Sequence, residues 1–385
     1  MGSDVVASTL PGGHDRDGDG DDGAGDPAGG QRRWWRSRIL QIALSLAIVA
    51  LIFGFLLPKL ADYGDVWDTV GDLSWPRVVI LAGVTFGNLL SYLPLLTAVV
   101  PGLRLREAAV SNFASTAVSN TLPGGAALGI GVTVTIQRSF GIGAADIALG
   151  AVISGLWNNF AKLSLPVVAM GLLALSDDVN NGLAAAAVVG LVVLALCVVG
   201  FGLLLRSERL ARRVGAGVGR VAAGYSRLLG TRPRRDVSAA AVRFRDKVIG
   251  LLKGRAIRIT LATVASHLSL YVVLLVAIRV VGVSNGDVSW TKVLAAFAFV
   301  RLLSAVPVTP GGIGVVELGL TAALGSGLDD PTNNRVAAAV LLYRALTWFV
   351  PIPLGTAAWL LWRSNRSWRH TVAERERIRD HVTAA

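Results

Sequence analysis

Within an apolar region of the chain stands Pro307-Val308-Thr309-Pro310-Gly311-Gly312-Ile313-Gly314-Val315-Val316-Glu317, and no other stretch restricts the fold so sharply. Prolines remove backbone donors and clash with the preceding turn, and glycines cost backbone entropy, so no regular helix runs through it. Glu317 follows the break directly, where an uncompensated carboxylate is expensive in hydrocarbon. Broken backbone survives at membrane depth only where protein or a water-filled cavity satisfies its freed amides and carbonyls. A break of the same kind, Asn120-Thr121-Leu122-Pro123-Gly124-Gly125-Ala126-Ala127, comes earlier. Pro310 lies 187 positions after Pro123. That offset carries the apolar run 146–175 onto 333–362, and run 77–100 onto 264–287, close to the run at 257–281. The spacing reads as one unit used twice.

Composition makes the membrane explicit. Hydrophobic residues are 53% of the 385 and charged residues 16%, with a mean hydropathy of +0.59, the profile of a polytopic membrane protein. The net charge of +12 calls for no nucleic acid, because most basic residues flank apolar runs and act there as topology determinants. Cys197 is the single cysteine, which excludes a disulfide framework and a cysteine-based metal site.

Residues 1–37 read as a disordered Gly- and Asp-rich stretch followed by a basic cytoplasmic segment. Asp15-Arg16-Asp17-Gly18-Asp19-Gly20, with Asp26 in the twelfth position, matches a calcium loop only superficially: it lacks flanking helices and the terminal Glu. Run Ile39 to Leu57 is expected to be an uncleaved anchor. The loops then alternate in charge. Asp62, Asp65, Asp68 and Asp72, then Asp177 and Asp178, Asp287, and Asp329 and Asp330 mark one side. Arg104 and Arg106, Arg138, the basic stretch from Arg206, and Arg363, Arg366 and Arg369 mark the other. Positive-inside makes the basic side cytoplasmic and places both termini there, in a multi-pass protein of the cell membrane.

The halves of broken segment 107–136 are roughly a dozen residues each, short of the ~20 a spanning helix needs; those of 291–326 are somewhat longer. Both read as re-entrant helical hairpins, one entering from each side. The expected fold is therefore all-α, with about six spanning helices and two hairpins in an inverted-topology repeat: repeat 1 about 77–175 and repeat 2 about 257–362. Between them lies the basic stretch 206–256. Val237, Val242, Val248, Leu251 and Leu252, interleaved with Arg243, Arg245, Lys247 and Lys253, predict an interfacial amphipathic helix on the anionic cytoplasmic leaflet. Residues 363–385 are expected to form a cytoplasmic tail.

Ionisable and amide groups inside the apolar runs mark the candidate site. Asn158, Asn159 and Lys162 lie in run 146–175, His267 in 257–281, Arg301 before the second break, Glu317 after it, and Arg344 on the last run. Each has a structural alternative. Lys162 and Arg301 can snorkel, Glu317 and Arg344 can form a structural pair, Asn158 and Asn159 can bond helices together, and His267 can be a core histidine. Three cations against one carboxylate, with helix N-termini after Pro123-Gly124-Gly125 and Pro310-Gly311-Gly312-Ile313-Gly314, suit a phosphate-bearing substrate.

Arg301 and the motif from Pro307 to Gly319, followed by Tyr343-Arg344 and Pro351…Pro353-Leu354-Gly355, resemble the transmembrane domain of the lysylphosphatidylglycerol synthetase/flippase family. Asn120 to Gly125 matches that family's first motif, although Ala126-Ala127-Leu128-Gly129 stands where many members carry a Gly-Glu pair. The resemblance covers roughly 38–362. It implies translocation of a phospholipid or polyprenyl-phosphate-linked lipid, with aminoacyl transfer belonging to a separate soluble domain. Segment 206–256 is too short for such a domain, so the expectation is a non-enzyme without a cofactor. Two other functions stay open: a proton-coupled transporter of a small anion using His267 and Glu317, and a non-transporting membrane partner of a glycosyl- or lipid-transferase.

Overall fold

The computed structural model of the protein describes residues 63–122, 125–174, 181–228, 237–304, 312–375 and 377. The N-terminal 37 residues, the expected anchor Ile39 to Leu57, and Pro123, Gly124, Pro310 and Gly311 of the two breaks lie outside them. The described residues are helical, with no strand among them. In chain order the helices are α1 (Tyr63–Gly71), α2 (Trp75–Ser91), α3 (Leu93–Val99), α4 (Leu105–Thr121), α5 (Gly125–Ser139), α6 (Ala144–Ala174), α7 (Asn181–Arg206), α8 (Glu208–Leu228), α9 (Val237–Val280), α10 (Trp290–Leu303), α11 (Val315–Gly325), α12 (Asp330–Arg344) and α13 (Pro351–Ser364).

Among the described residues four stretches are long and apolar enough to cross a membrane: Trp75–Val99, Val188–Arg206, Ala239–Val280 and Asp330–Ser364. Of the two other expected spans, the anchor lies outside the described residues. The second, α6, is long enough at 31 residues, but Asn158, Asn159 and Lys162 in its middle lower its hydropathy.

A pair of packed helices flanks each break. α4 and α5 have 17 and 15 residues, and α10 and α11 have 14 and 11. At 1.5 Å per residue each arm spans roughly 16–26 Å, less than the ~30 Å hydrocarbon core. The second hairpin has the shorter arms, contrary to the sequence expectation, because α10 ends at Leu303 and α11 starts only at Val315. Leu122, the residue before Pro123, is extended at φ −107° and ψ 139°, as a pre-proline residue prefers. In the second break Gly312 and Gly314 take φ of 69° and 82°, which costs glycine nothing and any other residue a Cβ clash.

Packing exchanges elements between the two halves. α13, which follows the second hairpin, lies on α4 of the first, while α6, which follows the first hairpin, lies on α10 of the second. The helices preceding the hairpins, α2–α3 and α9, pack on each other and run antiparallel. Arg77 Nη1 donates to Val280 O at 3.1 Å at one end, and Arg255 Nη1 to Ala98 O at 3.2 Å at the other. A cavity of about 490 Å³ beside Asp68, Asp72, Gly282 and Arg335 gathers loops the sequence assigns to the outside. Two large apolar cores result among the described residues, one centred on α9–α12 and the other on α3–α6.

The basic stretch differs from its sequence reading. Val248 and Leu251 are buried in the second core, and 237–256 is the start of the 44-residue α9 rather than a separate surface helix. The amphipathic element is α8, which packs on α9. Ala211 is buried, whereas Val214 and Val218 are exposed beside exposed Arg209, Arg212, Arg213 and Arg220.

Candidate functional site

Polar side chains on apolar helices converge in one cavity of about 260 Å³ between the first arms of the two hairpins. Its walls come from both halves of the chain. Asn88 and Tyr92 on α2–α3 stand with Ser266 and His267 on α9. Asn112 and Thr116 on α4 stand with Arg301 on α10, and Asn158 on α6 with Thr347 and Pro351 beyond α12. Among the described residues no carboxylate lines it.

Neighbouring helices hold these groups in place. Asn158 Nδ2 donates to the Tyr92 hydroxyl at 3.0 Å and to Ser154 O at 2.8 Å. Asn88 Nδ2 donates to Ser269 Oγ at 2.9 Å, and Ser269 is also 2.8 Å from Ser91 Oγ. His267 is 4% exposed, with Nδ1 3.0 Å from Thr263 O. Two buried nitrogens of the cavity residues, His267 Nε2 and Arg301 Nε, have no hydrogen-bond partner among the described residues. Among the described residues no carboxylate forms an ion pair with Arg301. A partly buried guanidinium without a counter-charge is costly unless an anion or water meets it.

Arg344 and Glu317 sit apart from the cavity lining. Arg344, the last residue of α12, donates Nε to Glu317 Oε1 at 2.8 Å. Glu317 is 3% exposed, and its Oε2 accepts the Gly314 amide at 2.7 Å. Glu317 thus caps α11 and ties it to α12, so the pair fastens the second hairpin. A π-helical turn of five residues, Ala345–Phe349, then lies between α12 and α13, a common local departure near functional sites. Asn120 Nδ2 donates to Trp348 O in that turn at 2.8 Å, joining the end of α4 to it.

Of the residues singled out in the sequence, Asn158, His267 and Arg301 meet in the cavity. Lys162 is half-buried on the next turn of α6, and Asn159 is exposed; neither lines the cavity. Gly312 and Gly314 shape the second break. Gly125 opens α5, where a Cβ would collide with the Ser119 carbonyl, so it serves close packing of the hairpin arms. Asn88, Tyr92, Asn112, Thr116 and Ser266 were missed. Asn88 with Tyr92 and Asn112 with Thr116 are i,i+4 polar pairs within apolar helices, a spacing that puts both members on one face.

A second buried ion pair was also missed. Glu107, 3% exposed, accepts the Arg104 amide at 2.9 Å at the start of α4. Arg375 reaches it from the tail, with Nη1 3.1 Å from Oε1 and Nη2 2.6 Å from Oε2. The same guanidinium donates to Phe140 O and Gly102 O. The His370 amide donates to Ser139 O at 2.8 Å, and the Arg106 guanidinium lies over the Trp368 ring. The tail thereby clasps both ends of the first hairpin.

Compared with known protein families, residues 42–355 match the family described as lysylphosphatidylglycerol synthase TM region. No curated protein matches the chain.

Proposed function

The chain belongs to the lysylphosphatidylglycerol synthase transmembrane-region family, and from that premise we propose that it translocates a phosphate-bearing lipid, phospholipid or polyprenyl-phosphate-linked. The headgroup passes through the cavity between the hairpins while the hydrocarbon chains stay in the bilayer. The observation that carries this is half-buried Arg301, whose buried Nε has no hydrogen-bond partner among the described residues, in a polar cavity at the crossing of the two halves. At about 260 Å³ the cavity is smaller than the ~300–1,000 Å³ of drug-sized sites, so it suits a headgroup rather than a whole lipid.

The exchange of α13 onto α4 and α6 onto α10 supports an inverted repeat, with the two hairpins as the moving parts of alternating access. The Arg344–Glu317 pair holds the second hairpin, and Arg344 is a candidate to release Glu317 for a phosphate during the cycle. Both termini lie on the cytoplasmic side of the cell membrane. α8, with its valine stripe and flanking arginines, rests on the anionic leaflet. The family match lies on a membrane region, and no aminoacyl transfer is assigned to it.

A proton relay from His267 to Glu317 has less support, since both Glu317 oxygens are engaged and Glu317 does not line the cavity. The test is reconstitution of the purified chain in liposomes carrying an acyl-labelled anionic phospholipid. Label should reach the opposite leaflet faster than in protein-free vesicles, and Arg301→Gln should abolish the difference. Equal rates with and without the protein would exclude translocation of that lipid class.

A further inference from the structure

The two unpartnered nitrogens of the cavity demand different things of whatever fills it. Arg301 Nε belongs to a group that only donates and always carries charge, so it calls for an anionic oxygen. His267 is the opposite case. Its Nδ1 lies 3.0 Å from the Thr263 carbonyl oxygen, which can only accept, so the ring proton sits on Nδ1. The neutral imidazole then presents a lone pair at Nε2, which calls for a donor. Asn158 adds to that side of the wall. Both hydrogens of its amide are committed, to the Tyr92 hydroxyl and Ser154 O, which leaves Oδ1 to accept.

Resting on the translocation function above, we propose that the cavity selects phosphodiester lipids whose headgroup carries a hydroxyl or ammonium donor close to the phosphate. Arg301 takes a phosphate oxygen, and His267 Nε2 accepts from the headgroup donor. A quaternary ammonium headgroup satisfies the first and leaves Nε2 buried and unpaired. A site whose buried polar group is left without its partner rejects the analogue strongly. His267 is thus a specificity-determining residue and Arg301 the general anion ligand.

The experiment uses the full chain with acyl-labelled phosphatidylglycerol, phosphatidylethanolamine and phosphatidylcholine in liposomes. Binding of the short-chain, detergent-soluble glycerol and choline lipids is measured alongside, by thermal stabilisation of the purified protein. The wild type should move and bind the first two at least ~10-fold better than the choline lipid. His267→Phe should collapse that ratio, mainly by weakening the donor-bearing lipids. His267→Gln, which keeps an acceptor, should preserve most of it, and Arg301→Gln should weaken all three together. Selective binding without transport would leave the selectivity standing and remove translocation. Transport of all three lipids at similar rates, or an unchanged ratio in a folded His267→Phe protein, would overturn the selectivity alone. Neither binding nor transport of any lipid would overturn both.

Discussion

Arg344 donates to Glu317 while Glu317 also holds the Gly314 amide, so one buried carboxylate serves two elements. Removing either partner leaves the other charge buried. Arg344→Gln and Glu317→Gln should each lower stability by about 3–5 kcal/mol, and the double substitution should recover much of that loss. Thermal unfolding of the four proteins checks this, and liposome transport separates the two roles. If the double variant regains stability and transport together, Arg344 acts by fastening the second hairpin. If it regains stability alone, Arg344 also contacts phosphate. Gly314→Ala forces a side chain to φ of 82° and should cost ~1–2 kcal/mol without preventing insertion, as membrane fractionation would report.

At the level of elements, stability rests on two close approaches. α13 meets α4 at Gly355, where an added Cβ would collide with the Phe113 carbonyl and come within 2.6 Å of Ala117 Cβ. Gly355→Leu should cost about 1–3 kcal/mol by pushing the helices apart, read as a lower midpoint of thermal unfolding. The tail clasp is the second. Arg375→Ala strands Glu107, which is only 3% exposed, and should cost about 3–5 kcal/mol. Adding Glu107→Gln should restore most of the stability. Protease nicking of the segment 366–375 should rise in the single variant. An unchanged cleavage rate would mean that the aromatic and backbone contacts of Trp368 and His370 hold the tail by themselves.

For the whole molecule, sidedness is the expectation on which alternating access depends. The protein clusters Asp68, Asp72 and Arg335 around one cavity, and gathers Gly102, Glu107, Phe140 and Arg375 at the clasp. With Cys197 replaced, single cysteines at Asp68, Asp287 and Asp330 should react with an impermeant thiol reagent added outside intact cells, and one at Arg212 should not. External labelling at Arg212 would reverse the parity between the two hairpins and remove the inverted repeat.

The all-helical class and the two helix breaks were legible in the sequence, because each rests on local chemistry. Hydropathy sets span length, and proline with glycine stops a helix wherever it occurs. Asn158, His267 and Arg301 announced themselves as polar groups where hydrocarbon makes them expensive. Which of the buried cations is already satisfied was not legible. Arg344 and Arg301 are alike as residues, yet folding places one 2.8 Å from Glu317 and leaves the other facing a cavity that no carboxylate lines among the described residues. Glu107 and Arg375, 268 positions apart, carry no local signal of each other. Their pairing, the π-helical turn beside the cavity and the exchange of helices between the halves depend on contacts distant in the chain. Only the tertiary structure decided them, because a charge's worth is set by the partner and dielectric that folding brings to it.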